Sequence, residues 1–406
     1  MNDTKKNDSI IQKSPIAAIG TPVGEGGIAV IRVSGLNAIS KVNEAFQGKD
    51  LTVLASHTVH FGKIVDKKGF PVDEVLVTLF HSPKSYTGEE TVEISCHGGV
   101  LVTQKVLETI LSLGIRLAEA GEFTQRAFLN GKLDLDQAEA VADIIHAKSI
   151  KAVDAAHQQL EGKLGDHVRT FRQQIIDATA MIELELDFIE EDVEFANKEQ
   201  LQKLLEDVDA ELTNLLDTYE TGRIVKDGVK TVLIGRPNAG KSTLLNTLIG
   251  SDRAIVTEIA GTTRDTIDVD WNYDGLLFKL IDTAGLRETE DIVEAEGVKR
   301  SQKAFEQADL EGEKIKDLKE HLKNRALENK HYDASSLLVT SSRHRDALQK
   351  TKEHIQAALT GLANGMTGDF LSIDLRAALN ELGTVTGEIT NEHILDSIFS
   401  RFCIGK

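Results

Sequence analysis

Residues 235 to 242 read Gly-Arg-Pro-Asn-Ala-Gly-Lys-Ser and fill the pattern G-x-x-x-x-G-K-[ST] without a mismatch. Glycines in such a run let backbone N–H groups turn inward around phosphate oxygens, and the helix that follows adds the positive end of its dipole. Lys241 is placed to reach the β- and γ-phosphates, and the Ser242 hydroxyl is a natural ligand for Mg²⁺. An apolar stretch, Val229 to Ile234, precedes the loop, and a helical stretch, Ser242 to Ile249, follows it, which is the context the chemistry requires. Downstream, Asp282-Thr283-Ala284-Gly285 closes the apolar strand Leu276 to Ile281. There a carboxylate can hold Mg²⁺ through water and a glycine can sense the γ-phosphate. Between the two lies a polar loop, Thr257, Glu258, Ile259, Ala260, Gly261, Thr262, Thr263, Arg264 and Asp265, whose threonines suit Mg²⁺ coordination. Alone that loop would be an ordinary connection. In the order P-loop, threonine loop, DTAG, the three specify a GTPase of the translation-factor-related class.

Other residue groups are weaker on their own. Glu294 is one acid among Glu288, Glu290, Asp291 and Glu296, which reads as a solvated run. Arg32, Glu93 and Lys132 would each pass for a surface charge. Cys96 and His97 are adjacent, but no second ligand pair stands at zinc spacing, so no metal is expected there. Cys403 near the end of a helix is ordinarily a buried small hydrophobe.

The elements that must carry these residues change character along the chain. With 406 residues, two or three domains are expected. Residues 1–130 read as a compact α+β unit, with strands at Ala17 to Ile19, Gly27 to Val33, Glu74 to Phe80 and Val92 to Ser95, and a helix over Val102 to Leu113. Residues 131–226 take the helical period: Leu201, Leu204, Leu205, Val208, Leu212, Leu215 and Leu216 form one apolar face. The acidic run Asp187 to Glu194 marks a corner. Residues 227–322 switch to strand, loop, helix and hairpin, with a further helix over Val298 to Gln307. Residues 323–406 return to helices, including His354 to Leu359 and Asp374 to Leu382. The fold class is therefore multidomain α/β plus α, with an α/β domain inserted between two helical segments that pack together.

Composition narrows the setting. The net charge of −19 argues against bulk electrostatic binding of nucleic acid, so any RNA would meet a local basic patch or a partner's charge. No apolar run approaches the roughly 20 residues a membrane span needs. The N-terminus lacks a continuous apolar h-region and the two cysteines cannot form a disulfide framework, so a cytoplasmic protein is expected.

The motifs GRPNAGKSTLLN, GTTRD and DTAGLRE resemble the G domain of the MnmE (TrmE) tRNA modification GTPase family, which is also similar to Era-type GTPases. Gly26 to Arg32, Tyr86 to Glu93, Cys96 to Gly99 and Gly121 to Lys132 resemble that family's tetrahydrofolate-binding domain, and Phe402-Cys403-Ile404-Gly405-Lys406 resembles its closing motif. The resemblance implies a nucleotide site of Asn238, Ala239, Gly240, Lys241, Ser242 and Thr243 with the threonine loop and the DTAG segment. It implies K⁺ on Asn238, Thr257, Ile259 and Thr262, where an arginine finger would otherwise neutralise charge, and Mg²⁺ on Ser242 and Thr263. Glu294, twelve residues after Asp282, becomes the general catalytic residue. Arg32, Glu93, Lys132 and Lys406 become the folate site, for 5-formyl- or methylene-tetrahydrofolate; a carboxylate suits pterin amino groups and cations suit the glutamyl tail. The resemblance further implies a homodimer and an FAD-dependent MnmG (GidA) type partner in a heterotetrameric-type complex. Together they would install a C5 carboxymethylaminomethyl-type group on wobble uridine U34 of tRNA. Cys403 could attack C6 of uridine as a nucleophile, or the partner could carry that chemistry.

The resemblance breaks in one place. NKxD, which reads guanine, is absent, and the charged helix start at Glu311 follows Leu310 where sheet strands are expected, so the G domain is incomplete in this chain. Two competing functions follow from the same residues. One is a regulatory GTPase switch on ribosomal RNA or an assembly intermediate; the other is a folate-dependent transferase whose G domain only keeps time. The folate-like segments and the FCIGK end weigh against the switch.

Overall fold

The structure, a computed structural model of the chain, describes residues 14–187, 198–233, 240–250, 267–282, 311–327 and 336–406. Contacts divide the chain into two units: residues up to Ala142 together with Ile389–Lys406, and Asp143–Glu388.

The first unit is built on strands β1 (Ile16–Ile19), β2 (Ile28–Ser34), β3 (Phe46–Gln47), β4 (Thr58–Val65), β5 (Pro71–Phe80), β6 (Thr91–His97) and β7 (Arg116–Leu117). They form one sheet in the order β3-β4-β5-β6-β2-β1-β7. Only the β1–β7 pair is parallel; its other pairs are antiparallel. Helices α1 (Ala38–Glu44), α2 (Val100–Leu111) and α3 (Glu122–Leu129) and the first two turns of α4 (Leu135–His146) complete its first part. Alternation fixes the faces. Ala29, Ile31 and Val33 of β2 and Val92, Ile94 and Cys96 of β6 enter a core with Val106 and Ile110 of α2. Arg32 and Glu93 therefore project from the other face, directly opposite each other in the strand register. Helix α2 begins two residues before the expected Val102, because Gly99 adopts an extended N-cap conformation and Gly114, at φ 76°, turns the chain beyond its end. Strand β4 was not expected: its apolar Val59 and Phe61 are exposed while Thr58 and His60 are half-buried, the reverse of the usual alternation.

The second unit begins with helices α5 (Ile150–Leu160), α6 (Lys163–Asp187), α7 (Lys198–Leu216) and α8 (Tyr219–Asp227). Strand β8 (Val229–Leu233), helix α9 (Lys241–Gly250), strands β9 (Ile267–Tyr273) and β10 (Leu276–Asp282) and helix α10 (Glu311–Ala326) follow. Helices α11 (Ser342–Ala363) and α12 (Gly368–Thr386) close it. Phe171 and Ile175 of α6, Leu205 and Val208 of α7, Leu348 of α11 and Leu375 of α12 share one core. The helices before and after the α/β segment thus form a single, discontinuous helical domain. The α/β segment has the sheet order β8-β10-β9, with β10 parallel to β8 and antiparallel to β9. Its core centres on fully buried Trp271, stacked on Tyr273 and tilted against Phe278. The corner expected over Asp187 to Glu194 and the helix over Val298 to Gln307 lie in or run into residues outside those described.

The last eighteen residues do not join that helical core. Helix α13 (Glu392–Phe399) groups with the first unit, where Ile398, Phe399 and Phe402 pack with Leu135 and Ala138 of α4.

Candidate functional sites

Parallel pairing sets Asp282, the last residue of β10, beside Leu233, the last residue of β8. The carboxyl ends of both strands emerge together, which is where open α/β sheets receive ligands. Gly240 follows at φ 78°, in a conformation costly for a side-chain-bearing residue. Its carbonyl accepts the Leu244 N–H at 2.9 Å and opens α9, so Lys241, Ser242 and Thr243 occupy that helix's first turn. Leu245 and Leu248 hold α9 in the core of Phe278 and Leu280. A helix whose first turn holds a lysine and a serine, packed on the strand that ends in an aspartate, fits a Mg²⁺-bound phosphate chain. Asn238, Ala239, the threonine loop from Thr257 to Thr263, Thr283, Ala284, Gly285 and Glu294 lie outside the described residues.

The second site lies in the first unit. The Arg32 guanidinium meets the Glu93 carboxylate through Nε at 2.9 Å and Nη2 at 2.8 Å. It also lies 5.5 Å from the centroid of the Tyr86 ring and 5.7 Å from that of Phe123. The Tyr86 hydroxyl is bonded to Thr124 Oγ1 at 2.9 Å, and burial raises its pKa despite that bond and the nearby Arg32 charge. The C-terminal tail arrives at the same place. Ile404 bridges Ala120, and Gly405, at φ 105°, lies so close to Ile19 that a Cβ there would be 2.2 Å from its carbonyl oxygen. Lys406 follows; burial and then the Arg32 charge push its ammonium below the usual lysine range, while Glu93 pulls it back. Arg32, Glu93 and Lys406, which are separated widely in sequence, therefore share one electrostatic environment. Arg32 and Lys406 bring cations to the Glu93 carboxylate, and the flanking rings offer flat apolar surface. This donor set fits a pterin with a carboxylate tail.

Lys132 is placed differently. Its Nζ donates to the Pro83 carbonyl at 3.3 Å and its stem packs by Gly88, on the loop that carries Tyr86. Cys403 is exposed beside the tail, whereas Cys96 is buried in the sheet core. His97 is bonded to Asp73 at 2.7 Å, and no metal-holding group of acids, cysteines and histidines occurs among the described residues.

Tyr86, Phe123 and Thr124 are site residues that individual-charge reasoning missed, although they stand inside the quoted motifs. The same motifs also contain their own scaffold. Buried Arg126 bonds Glu122 and Glu89 and donates to the Ser14 carbonyl, and Thr87 bonds Ser34 at 2.7 Å. Burial opposes ionisation of Glu122, but Arg116, the Glu119 N–H and Arg126 outweigh it and hold its carboxyl below the ordinary range.

A P-loop α/β segment set within a discontinuous helical domain, with a separate sheet unit bearing an Arg–Glu–Lys site, defines a multidomain nucleotide-binding protein. The comparisons make the class particular. The model of the MnmE helical domain matches residues 135–403, and that of the GTP-binding protein TrmE N-terminus matches residues 15–132. A tRNA modification GTPase MnmE from Salinibacter ruber is 43% identical over 459 positions, covering 97% of this chain and 100% of the relative. Those of Cytophaga hutchinsonii and Carboxydothermus hydrogenoformans are each 42% identical, covering 96% and 98% of this chain and 97% and 100% of the relatives. The chain belongs to the MnmE family of tRNA modification GTPases. The Salinibacter alignment has 459 positions against 406 residues here, so that relative carries residues this chain lacks, as the interrupted G domain leads one to expect.

Proposed function

We propose that this chain hydrolyses GTP at the β8–α9 site and couples hydrolysis to modification of the wobble uridine U34 of tRNA. The observation that carries this reading is the register that brings Asp282 level with the end of β8, with the helix that begins at Lys241 packed on the core of β10 through Leu245 and Leu248. Ser242 and Thr263 would hold Mg²⁺. Asn238, Thr257, Ile259 and Thr262 would hold K⁺, and K⁺ would stimulate turnover. Glu294 would act as the general catalytic residue.

Arg32, Glu93 and Lys406, with Lys132 nearby, would bind 5-formyl- or methylene-tetrahydrofolate, the source of the one-carbon unit. An FAD-dependent MnmG-type protein would complete the carboxymethylaminomethyl-type group at C5, with Cys403 or that partner supplying the nucleophile. A homodimer in the cytoplasm is the working assembly. Exposed Val59 and Phe61 on β4 and Leu76 opposite Phe61 on β5 give one sheet face an apolar surface suited to a second copy.

The test is nucleoside mass spectrometry of tRNA from cells whose own gene is replaced by this one or by its Glu294→Ala variant. Modified U34 with the unaltered chain, and its loss with the variant, supports coupling. Equal modification by both detaches hydrolysis from the chemistry, and no modification by either removes the tRNA assignment.

A further inference from the structure

Strands β9 and β10 form a hairpin with two sensitive ends. Residue 267 follows the threonine loop by two positions, and Asp282 is the first residue of the DTAG segment. Any shift of this hairpin along its axis therefore moves the points where both segments expected to touch Mg²⁺ and the γ-phosphate join it. The turn between the strands is Asp274-Gly275, with φ 48° and 75° at the two positions, the conformation favoured by a two-residue hairpin.

That turn is seated on the N-terminus of α5. Ser149 caps the helix by accepting the Ala152 N–H, and the Lys151 N–H, one of the first-turn donors that a helix leaves unused, donates to the Gly275 carbonyl at 3.2 Å. The Lys151 stem packs on Gly275, where a Cβ would lie 3.2 Å from Lys151 Cγ, and Lys151 Nζ lies 3.5 Å from the Asp274 carboxylate. One residue before the cap, Lys148 Nζ donates to Asp270 Oδ2 at 2.7 Å, midway along β9. On another side α10 grips the same hairpin: Lys323 pairs with Asp274 at 2.9 Å and the Tyr273 hydroxyl donates to Glu320 at 2.7 Å. All these elements lie within the second unit.

We infer that Lys148 and Lys151 are positioning residues for GTP hydrolysis, which fix the β9–β10 hairpin, and with it both of its nucleotide-facing ends, against the start of α5. They touch no nucleotide. Each pair is partly exposed and contributes modestly, so the effect comes from several contacts acting on one rigid lever. The binding loop itself precedes α9 and is not part of this lever, so ground-state nucleotide affinity should survive its loosening. The inference rests on the GTPase reading.

The experiment is steady-state GTP hydrolysis by the full chain, with nucleotide affinity measured in parallel by a fluorescent GDP analogue. The variants are Lys148→Ala, Asp270→Ala, and the charge exchange Lys148→Asp with Asp270→Lys. Each single variant should lower kcat by about two- to fivefold with affinity unchanged. The charge exchange should recover most of the loss, which a purely local packing defect would not do. Thermal melting separates unfolding from positioning. Unchanged kcat in both single variants, or equal losses in kcat and affinity without recovery in the exchange, would overturn the inference. Absence of turnover in the unaltered chain would instead remove the GTPase reading, and this inference with it.

Discussion

Arg32 shows how one residue acquires a role that its type alone does not announce. Its charge is answered by Glu93 across the strands, its flat faces lie near two aromatic rings, and Lys406 adds a second cation. Removing the guanidinium leaves the Glu93 carboxylate of the proposed folate site with its partner gone. Arg32→Ala is therefore expected to weaken tetrahydrofolate binding by about tenfold or more, measured by calorimetry, with thermal stability little changed. Affinity equal to that of the unaltered chain would remove Arg32 from the site. The two thiols give a second residue-scale prediction. Burial pushes the Cys96 thiol above its ordinary pKa, while Cys403 is exposed, so iodoacetamide on the native chain should label Cys403 alone. Rapid labelling of Cys96, mapped by peptide mass, would contradict this placement. Arg32, Glu93 and Lys406 were legible only through the motifs around them; proximity between residues 32 and 406 is a tertiary fact that no local pattern encodes. Tyr86 and Phe123 were missed because aromatic residues in an α+β unit read first as core.

At the scale of elements, the tail is secured by backbone more than by side chains. Gly405 needs its positive φ and its lack of a Cβ to pass Ile19. Gly405→Ala should displace Lys406 and lower folate affinity much as Lys406→Ala does; full affinity would show that the tail is not a fixed part of the site. Helix α4 supplies a pH dependence. Asp136 is fully buried, and burial, reinforced by the Asp134 charge, pushes its carboxyl up to about 7 from 3.8. A carboxyl raised in the folded state binds protons more tightly there than when unfolded. Its contribution to stability is full below about pH 4 and is lost as pH rises through about 7. Asp136→Asn should therefore raise the melting temperature at pH 8 and flatten its change between pH 5 and 8; an unaltered slope would refute the assignment. Periodicity revealed α7 well, because Leu201, Leu205, Val208 and Leu212 are all buried. It failed for β4, where Val59 and Phe61 face outward, and for α1, a seven-residue helix too short to display a period.

Across the whole molecule, the helices before and after the α/β segment fold as one core, as expected from two apolar faces that each lack a partner. Placement of Ile389–Lys406 with the first unit was not legible, because α13 has the same period as any helix and only Phe399 and Phe402 packing on α4 reveals its company. The net charge of −19 bears on tRNA as well: affinity should arise from local contacts, and its fall with salt should be shallower than for a basic RNA-binding protein. The central claim is a potassium-stimulated GTPase, and steady-state hydrolysis of GTP and ATP in KCl and in NaCl tests it most directly. The account predicts GTP turnover that rises steeply when K⁺ replaces Na⁺, with Asn238→Ala abolishing the rise. Slow turnover of both nucleotides, indifferent to the cation, would contradict it.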